Sequence, residues 1–289
     1  MPESIDSRSA EEWVQFGLET EDLDEQILYY TNAIALVSDA AAYNNRGFAY
    51  AQKGQYDLAI EDYTKAISLR PDYADAYYSR GCVYFDKGQC DLAIENFSKA
   101  ISLDPNYAAA YWARGIAYNE KLEYDRAIQD YTKAISLWPD YADAYYSRGC
   151  VYFDKGQCDL AIEDFSKAIS LRPDYVDAYR NRGYVYASKG QYDRAIEDFT
   201  EMICLEPDDA DGYRDRGHAY VDNGQYDAAI EDLTEAITLR PGFAEAYSNR
   251  GCAHAGRGKP DLAIEDLTEA ISLRPDYADA YNNRGLAYG

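Results

Sequence analysis

The chain has 289 residues, with 52 acidic against 28 basic side chains and a net charge of -24. That balance speaks against nucleic acid and anionic membrane surfaces as partners, because affinity for phosphate rests on basic residues, and it leaves basic or neutral partners open. No apolar run approaches the roughly 20 residues of a membrane span, and the opening MPESIDSRSAEEW lacks an apolar signal core, so the expected location is cytoplasmic with no membrane insertion.

Taken in chain order, residues 1–9 are polar and expected to fray. Residues 10–39 read as a degenerate, shortened helical hairpin, with Trp13, Phe16 and Gly17 near its start and Ala33 and Ile34 closing it. A period of 34 residues then takes over. Gly47, Gly81, Gly115, Gly149, Gly183, Gly217, Gly251 and Gly285 follow it, each preceded by Arg, from Arg46 to Arg284. The prolines from Pro71 to Pro275 and the alanines from Ala59 to Ala263 keep the same step. Such a period points to a solenoid whose units each bury a face on the next, and it overrides the two globular domains that this length would ordinarily suggest. Seven full repeats result, 40–73, 74–107, 108–141, 142–175, 176–209, 210–243 and 244–277, with 278–289 as the first helix of a truncated eighth.

Each repeat reads as helix, tight turn, helix, turn. In 74–107, Tyr77, Gly81 and Tyr84 form one helical stripe. Gly88 breaks the run as a left-handed cap would, and Ala93, Phe97, Ala100 and Ile101 form a second stripe. Asp91 suits the start of that helix, Pro105 ends it, and Asn106 offers a turn oxygen. In the seventh repeat Pro260 stands where a first helical residue belongs.

With the first residue of each repeat as position 1, an aromatic at 4, Gly at 8, Tyr at 11, Ala at 20, an aromatic at 24, Ala at 27 and Pro at 32 resemble the tetratricopeptide repeat. The resemblance implies an all-α fold, a right-handed superhelical solenoid of antiparallel helix pairs. It also implies a protein-binding scaffold whose first helices line a concave groove and hold a peptide or helix through positions 2, 5, 9, 12 and 13. Three departures carry expectations. Position 7 is Arg in all eight copies and position 23 is Asp in six repeats and Asn96 in one, which predicts an internal ladder such as Arg46–Asp62 and Arg148–Asp164. Leu122 replaces the turn glycine of the third repeat, so that turn should be strained or altered. Met202 fills the small position 27 of the fifth, where the helices should spread.

Chemistry is absent from the pattern. The six cysteines follow the repeat with no metal or disulfide spacing, and the two histidines, His218 and His254, lack partners for a zinc site. There is no phosphate-binding loop, and carboxylate pairs such as Glu61-Asp62 recur as scaffold. No enzyme, metal or cofactor is expected. The groove positions give the candidate ligand-binding residues. The second and fourth repeats present Asp75, Tyr78, Phe85 and Asp86, then Asp143, Tyr146, Phe153 and Asp154; the third adds Trp112 and Asn119; the fifth and sixth add Arg180, Asn181, Tyr184, Arg214 and His218. An aromatic centre with an acidic border favours a basic or amphipathic protein segment, and the two arginines could hold a carboxylate or carbonyl on it. Position 5 is never Lys and position 9 never Asn, so the family's chaperone carboxylate clamp is not expected.

YADAYYSRGCVYFDKGQC occurs at 73–90 and again at 141–158. Recent copying explains it, and so does a partner that needs the same pocket twice. Two further readings stand beside the peptide scaffold. The last helix offers Tyr281, Leu286 and Tyr288 without a polar cap, which suits a self-assembling module and a homo-oligomer. The chain could equally be the recruiting arm of a longer protein.

Overall fold

The structure is a computed structural model and describes residues 8–288. Among the described residues all regular structure is helical, and the chain falls into two bodies, Met1–Ala144 and Tyr145–Gly289. The first body holds α1 (Ala10–Glu19), α2 (Leu23–Leu36), α3 (Ala40–Gln52), α4 (Tyr56–Leu69), α5 (Ala74–Asp86), α6 (Cys90–Leu103), α7 (Ala108–Glu120) and α8 (Tyr124–Leu137). The boundary falls inside α9 (Ala142–Asp154). The second body continues with α10 (Cys158–Leu171), α11 (Val176–Ser188), α12 (Tyr192–Leu205), α13 (Ala210–Asp222), α14 (Tyr226–Leu239), α15 (Ala244–Gly256), α16 (Pro260–Leu273) and α17 (Ala278–Ala287).

In both bodies consecutive helices pack as pairs, and the first helix of a pair touches the first helix of the next, as α3 does α5 and α13 does α15. The pairs close because position 8 has no side chain. A Cβ on Gly81 would meet the Phe97 ring at 2.6 Å, and one on Gly115 would meet Tyr131 at 2.6 Å. Position 24 therefore packs directly on the first helix's backbone, with leucine (Leu233 and Leu267) in the sixth and seventh repeats. Small residues at positions 27 and 3 seal each repeat to the next, as Ala66 does with Ala76 and Ala236 with Ala246.

Of the residues expected to fray, 1–7 lie outside the described residues, and Ser9 is an ordered N-cap. Its hydroxyl accepts from Glu12 N, and Glu12 accepts from Ser9 N in return. In the N-terminal hairpin Trp13 is buried and Gly17 lies under Tyr30, whereas Phe16 is exposed and sits beside Trp13 and Tyr29. Pro260 opens α16. At the turn after α6, the side-chain oxygen that accepts a backbone N–H is that of Asp104, not of Asn106.

The ladder forms. Arg46, Arg114, Arg182, Arg216 and Arg250 each donate Nε and Nη2 to Asp62, Asp130, Asp198, Asp232 and Asp266, at 2.6–2.9 Å. Arg148 does the same to Asp164, at 2.7 and 2.8 Å. These aspartates are buried, so the paired guanidinium is what makes their charge tolerable. Within each body, position-7 guanidiniums also tie one repeat to the one before it. Nη1 of Arg80 reaches Thr64 at 2.9 Å, that of Arg114 reaches Ser98 at 2.9 Å, and that of Arg250 reaches Thr234 at 3.1 Å. A second tie runs along the turns: Lys87 pairs with Asp57 at 2.5 Å, Lys53 with Asp24, and Asn223 with Asp193 at 2.9 Å.

The turn at Leu122 keeps the shape of its glycine counterparts and carries the strain in its backbone. Its φ is 59°, against 70° at Gly88. Leu122 N still donates to Asn119 O at 2.8 Å and Glu123 N to Tyr118 O at 2.9 Å, as Gly88 N does to Phe85 O at 2.7 Å. Met202 is fully buried with Phe199 and Ala219, and the next repeat has Gly212 where the others have alanine at position 3. A Cβ on Gly212 would meet Ile203 Cγ1 at 3.1 Å and comes near no atom of Met202, so the bare position 3 accommodates Ile203 and not the thioether.

Candidate functional site

The predicted residues lie on the first helices of both bodies. In the first body Asp75 is exposed and accepts from Tyr107 Oη at 2.9 Å. Tyr78 is half-buried, its ring against Phe97 at 5.8 Å and Tyr107 at 5.0 Å. Trp112 packs on Tyr141 at 5.6 Å, and Phe85 is half-buried against the second repeat's core. Asp86 is exposed and Asp143 half-buried. Asn119 has its Oδ1 buried with no hydrogen-bond partner.

In the second body Tyr146 repeats the surroundings of Tyr78, with Phe165 at 5.8 Å and Tyr175 at 4.9 Å. The duplicated eighteen residues thus build the same aromatic step once in each body. Both tyrosines form part of the wall, so position 5 contributes core packing as well as surface. Phe153 is half-buried and Asp154 exposed. Asn181 donates to Tyr146 Oη at 2.9 Å and approaches Cys150 Sγ at 3.6 Å. Burial pushes the Cys82 and Cys150 thiols up to about 11, so neither is a thiolate near neutral pH.

The fifth and sixth repeats hold the most polar surroundings. Arg180 bonds Asp177 at 3.0 Å and Asp209 at 3.2 Å. Tyr184 donates to Asp215 Oδ2 at 2.7 Å. Arg214 Nε lies 2.7 Å from Asp215 Oδ1, and its Nη2 donates to Asp211 at 3.2 Å. The chain's own carboxylates therefore already hold both arginines that could have met a partner's carboxylate. His218 is exposed, 3.6 Å from Asp222. Tyr184, Arg214, Asp215, His218, Glu245 and Asn249 line a cleft of about 540 Å³.

Asp215 is the residue the sequence reading missed. It is the one acid at position 6, and burial raises its pKa despite Arg214 and Tyr184. The position-25 hydroxyls that receive Arg Nη1 were missed too, although Ser or Thr fills that position in every repeat. Among the described residues no group of three or more His, Cys, Asp or Glu could hold a metal ion, and no helix is long and apolar enough to cross a membrane.

The family pattern described as TPR repeat matches seven segments, residues 47–88, 81–121, 117–156, 149–190, 183–224, 217–258 and 255–289. The chain belongs to the TPR repeat family. TPR proteins generally mediate protein–protein interactions, and the fold is typically a non-catalytic scaffold. Among solved structures, YrrB, described as a TPR protein with an unusual peptide-binding site, is similar at 27% identity. The match covers 66% of this chain and 99% of YrrB, with a TM-score of 0.59. MamA is 36% identical over 56% of this chain and 94% of its own, with a TM-score of 0.53. The C-terminal part of a TPR repeat-containing protein from Cytophaga hutchinsonii shares the fold, with a TM-score of 0.68 at 21% identity, covering 82% and 97% of the two chains. No curated protein matches the chain significantly.

Proposed function

We propose that this TPR protein is a non-enzymatic scaffold that binds a basic or amphipathic peptide segment on the face of its first helices. The observation that carries the reading is in the first body. Asn119 Oδ1 is buried and unpartnered on α7, which also bears the half-buried Trp112 ring and the exposed Glu120, and the neighbouring α5 adds the half-buried Phe85 ring and the exposed Asp86. A buried acceptor without a donor is costly, and a rotation of this half-buried amide towards the surface would let a peptide N–H supply the donor. The acids steer a cation towards the rings, which give the contact area. YrrB, with its peptide-binding site, supports the same use of the fold. In the second body the Tyr184–Asp215 cleft extends the reading, with Asp222 and Glu245 at its edge.

A peptide library selected on the wild-type chain tests this. Enrichment of Lys- and Arg-bearing peptides is expected. Affinity should fall about tenfold for Asp86→Lys, an exposed reversal that leaves packing alone. Selection without charge preference, or equal binding by the variant, refutes the reading. The exposed Tyr281, Leu286 and Tyr288 on and beside α17 favour a second reading, self-association through that helix. Light scattering over a range of concentrations tests it: a constant monomer mass eliminates it, and growth that Leu286→Lys abolishes supports it.

A further inference from the structure

Each complete repeat but one sets an aspartate against its position-7 arginine. The exception is the second repeat. Arg80 donates Nε to Asn96 Oδ1 at 2.9 Å and Nη1 to Thr64 at 2.9 Å, and no carboxylate lies within ion-pair distance of it among the described residues. Asn96 adds no charge and turns its own amide to Leu92 O at 2.8 Å. Arg80 therefore keeps its full positive charge where its counterparts are neutralised. It lines a cleft of about 530 Å³ with Tyr77, Glu95, Asn96, Ser98 and Lys99. The Arg80 and Lys99 cations both lie over the Tyr77 ring, at 5.6 and 6.0 Å. Ser98 Oγ accepts from Arg114 at 2.9 Å, which leaves its own proton to donate. Two cations against Glu95 make this cleft net positive on a chain of net charge -24.

We propose that the cleft is an oxyanion site, taking a phosphate or carboxylate group on the Arg80 guanidinium, the Lys99 ammonium and the Ser98 hydroxyl. A guanidinium presents paired donors that match either group. The site uses positions 4, 7, 22, 23, 25 and 26, apart from those of the proposed peptide face, so it does not rest on that reading. The substitution that tests it also repairs the fold. Asn96→Asp places a carboxylate where Asp62 and Asp130 sit and closes it on Arg80.

Inorganic phosphate and, separately, acetate are titrated into the full chain at constant ionic strength, with arginine Nε–Hε resonances followed by NMR. Wild type should give a saturable shift with at least one anion. Asn96→Asp should weaken it on the order of tenfold or more, the share of one charged hydrogen bond, while raising the unfolding midpoint. Lys99→Ala, an exposed change that leaves the ladder alone, should weaken it too. Saturation by phosphate only assigns a phosphate site, and equal saturation by acetate assigns a carboxylate site. The proposal is overturned if neither anion saturates, or if wild type and Asn96→Asp titrate alike.

Discussion

Removing the carboxylate of Asp198 asks how much one rung of the ladder contributes. Arg182 gives Asp198 two hydrogen bonds, 2.9 Å from Nε and 2.6 Å from Nη2, and its Nη1 reaches Ser166 at 2.9 Å. The guanidinium lies between the rings of Tyr179 and Tyr186, 5.7 and 5.9 Å away, and the side chains are only 18% and 5% exposed. Asp198→Ala leaves that cation facing an empty site, and breaking a buried pair in this way costs about 3 kcal/mol, near the low end because Arg182 keeps some water. Asp198→Asn should cost about half as much, because one acceptor remains. The chain already tolerates that arrangement at Arg80–Asn96, where a single 2.9 Å bond survives. Urea unfolding followed by circular dichroism gives the two losses. Hydrogen exchange on α11 to α13 checks that they are local, since repeat arrays open in parts. If Asp198→Ala falls within about 0.5 kcal/mol of wild type, the range of an ordinary surface change, the ladder is not a stabilising element and the reasoning fails.

Leu122→Gly should stabilise the third repeat by about 0.5–1 kcal/mol, as relief of about 1–2 kcal/mol of left-handed strain exceeds the added freedom of the unfolded chain; a loss in urea midpoint contradicts it. Gly212 and Ile203 should couple. Gly212→Ala alone should destabilise by about 1 kcal/mol, because its Cβ would crowd Ile203 Cγ1 at 3.1 Å, and by clearly less in the Ile203→Ala background; additive losses in a double-mutant cycle dismiss the contact. His254 stands where the other repeats have tyrosine, and burial lowers its pKa, with Asp266 opposing and Arg250 assisting. The unfolded state then binds the proton more readily. Stability from this group is present above the unfolded pKa of about 6.5 and declines as pH falls towards the depressed folded value. His254→Tyr should flatten the urea midpoint between about pH 6.5 and 5, and an unchanged slope refutes the assignment.

Much of the site was legible in the sequence because each position in the repeat has one environment. Arg at position 7 and Asp at 23 announce a pair, since a charge repeated near a packed face needs a counter-charge. The left-handed turn was legible from Gly88, and its exception from Leu122. The hydroxyls at position 25 were equally periodic and went unread, because their donor lies in the next repeat and not in their own hairpin. Asp215 was missed for the opposite reason. It breaks the period at one position, and only its contact with Tyr184, 31 residues away, gives the break a meaning.

The sequence alone determined the repeat, the helix pairs, the bare glycine under each large position-24 side chain, and which arginine would lack its acid. These follow from short-range chemistry and strict periodicity. Tertiary structure decided which surface side chains remain available. Tyr78 and Tyr146 become walls, Arg180 and Arg214 are claimed by the chain's own acids, and Arg80 is left open to a cleft. Availability depends on what the neighbouring repeat brings within hydrogen-bond reach, and a position within one repeat does not carry that information.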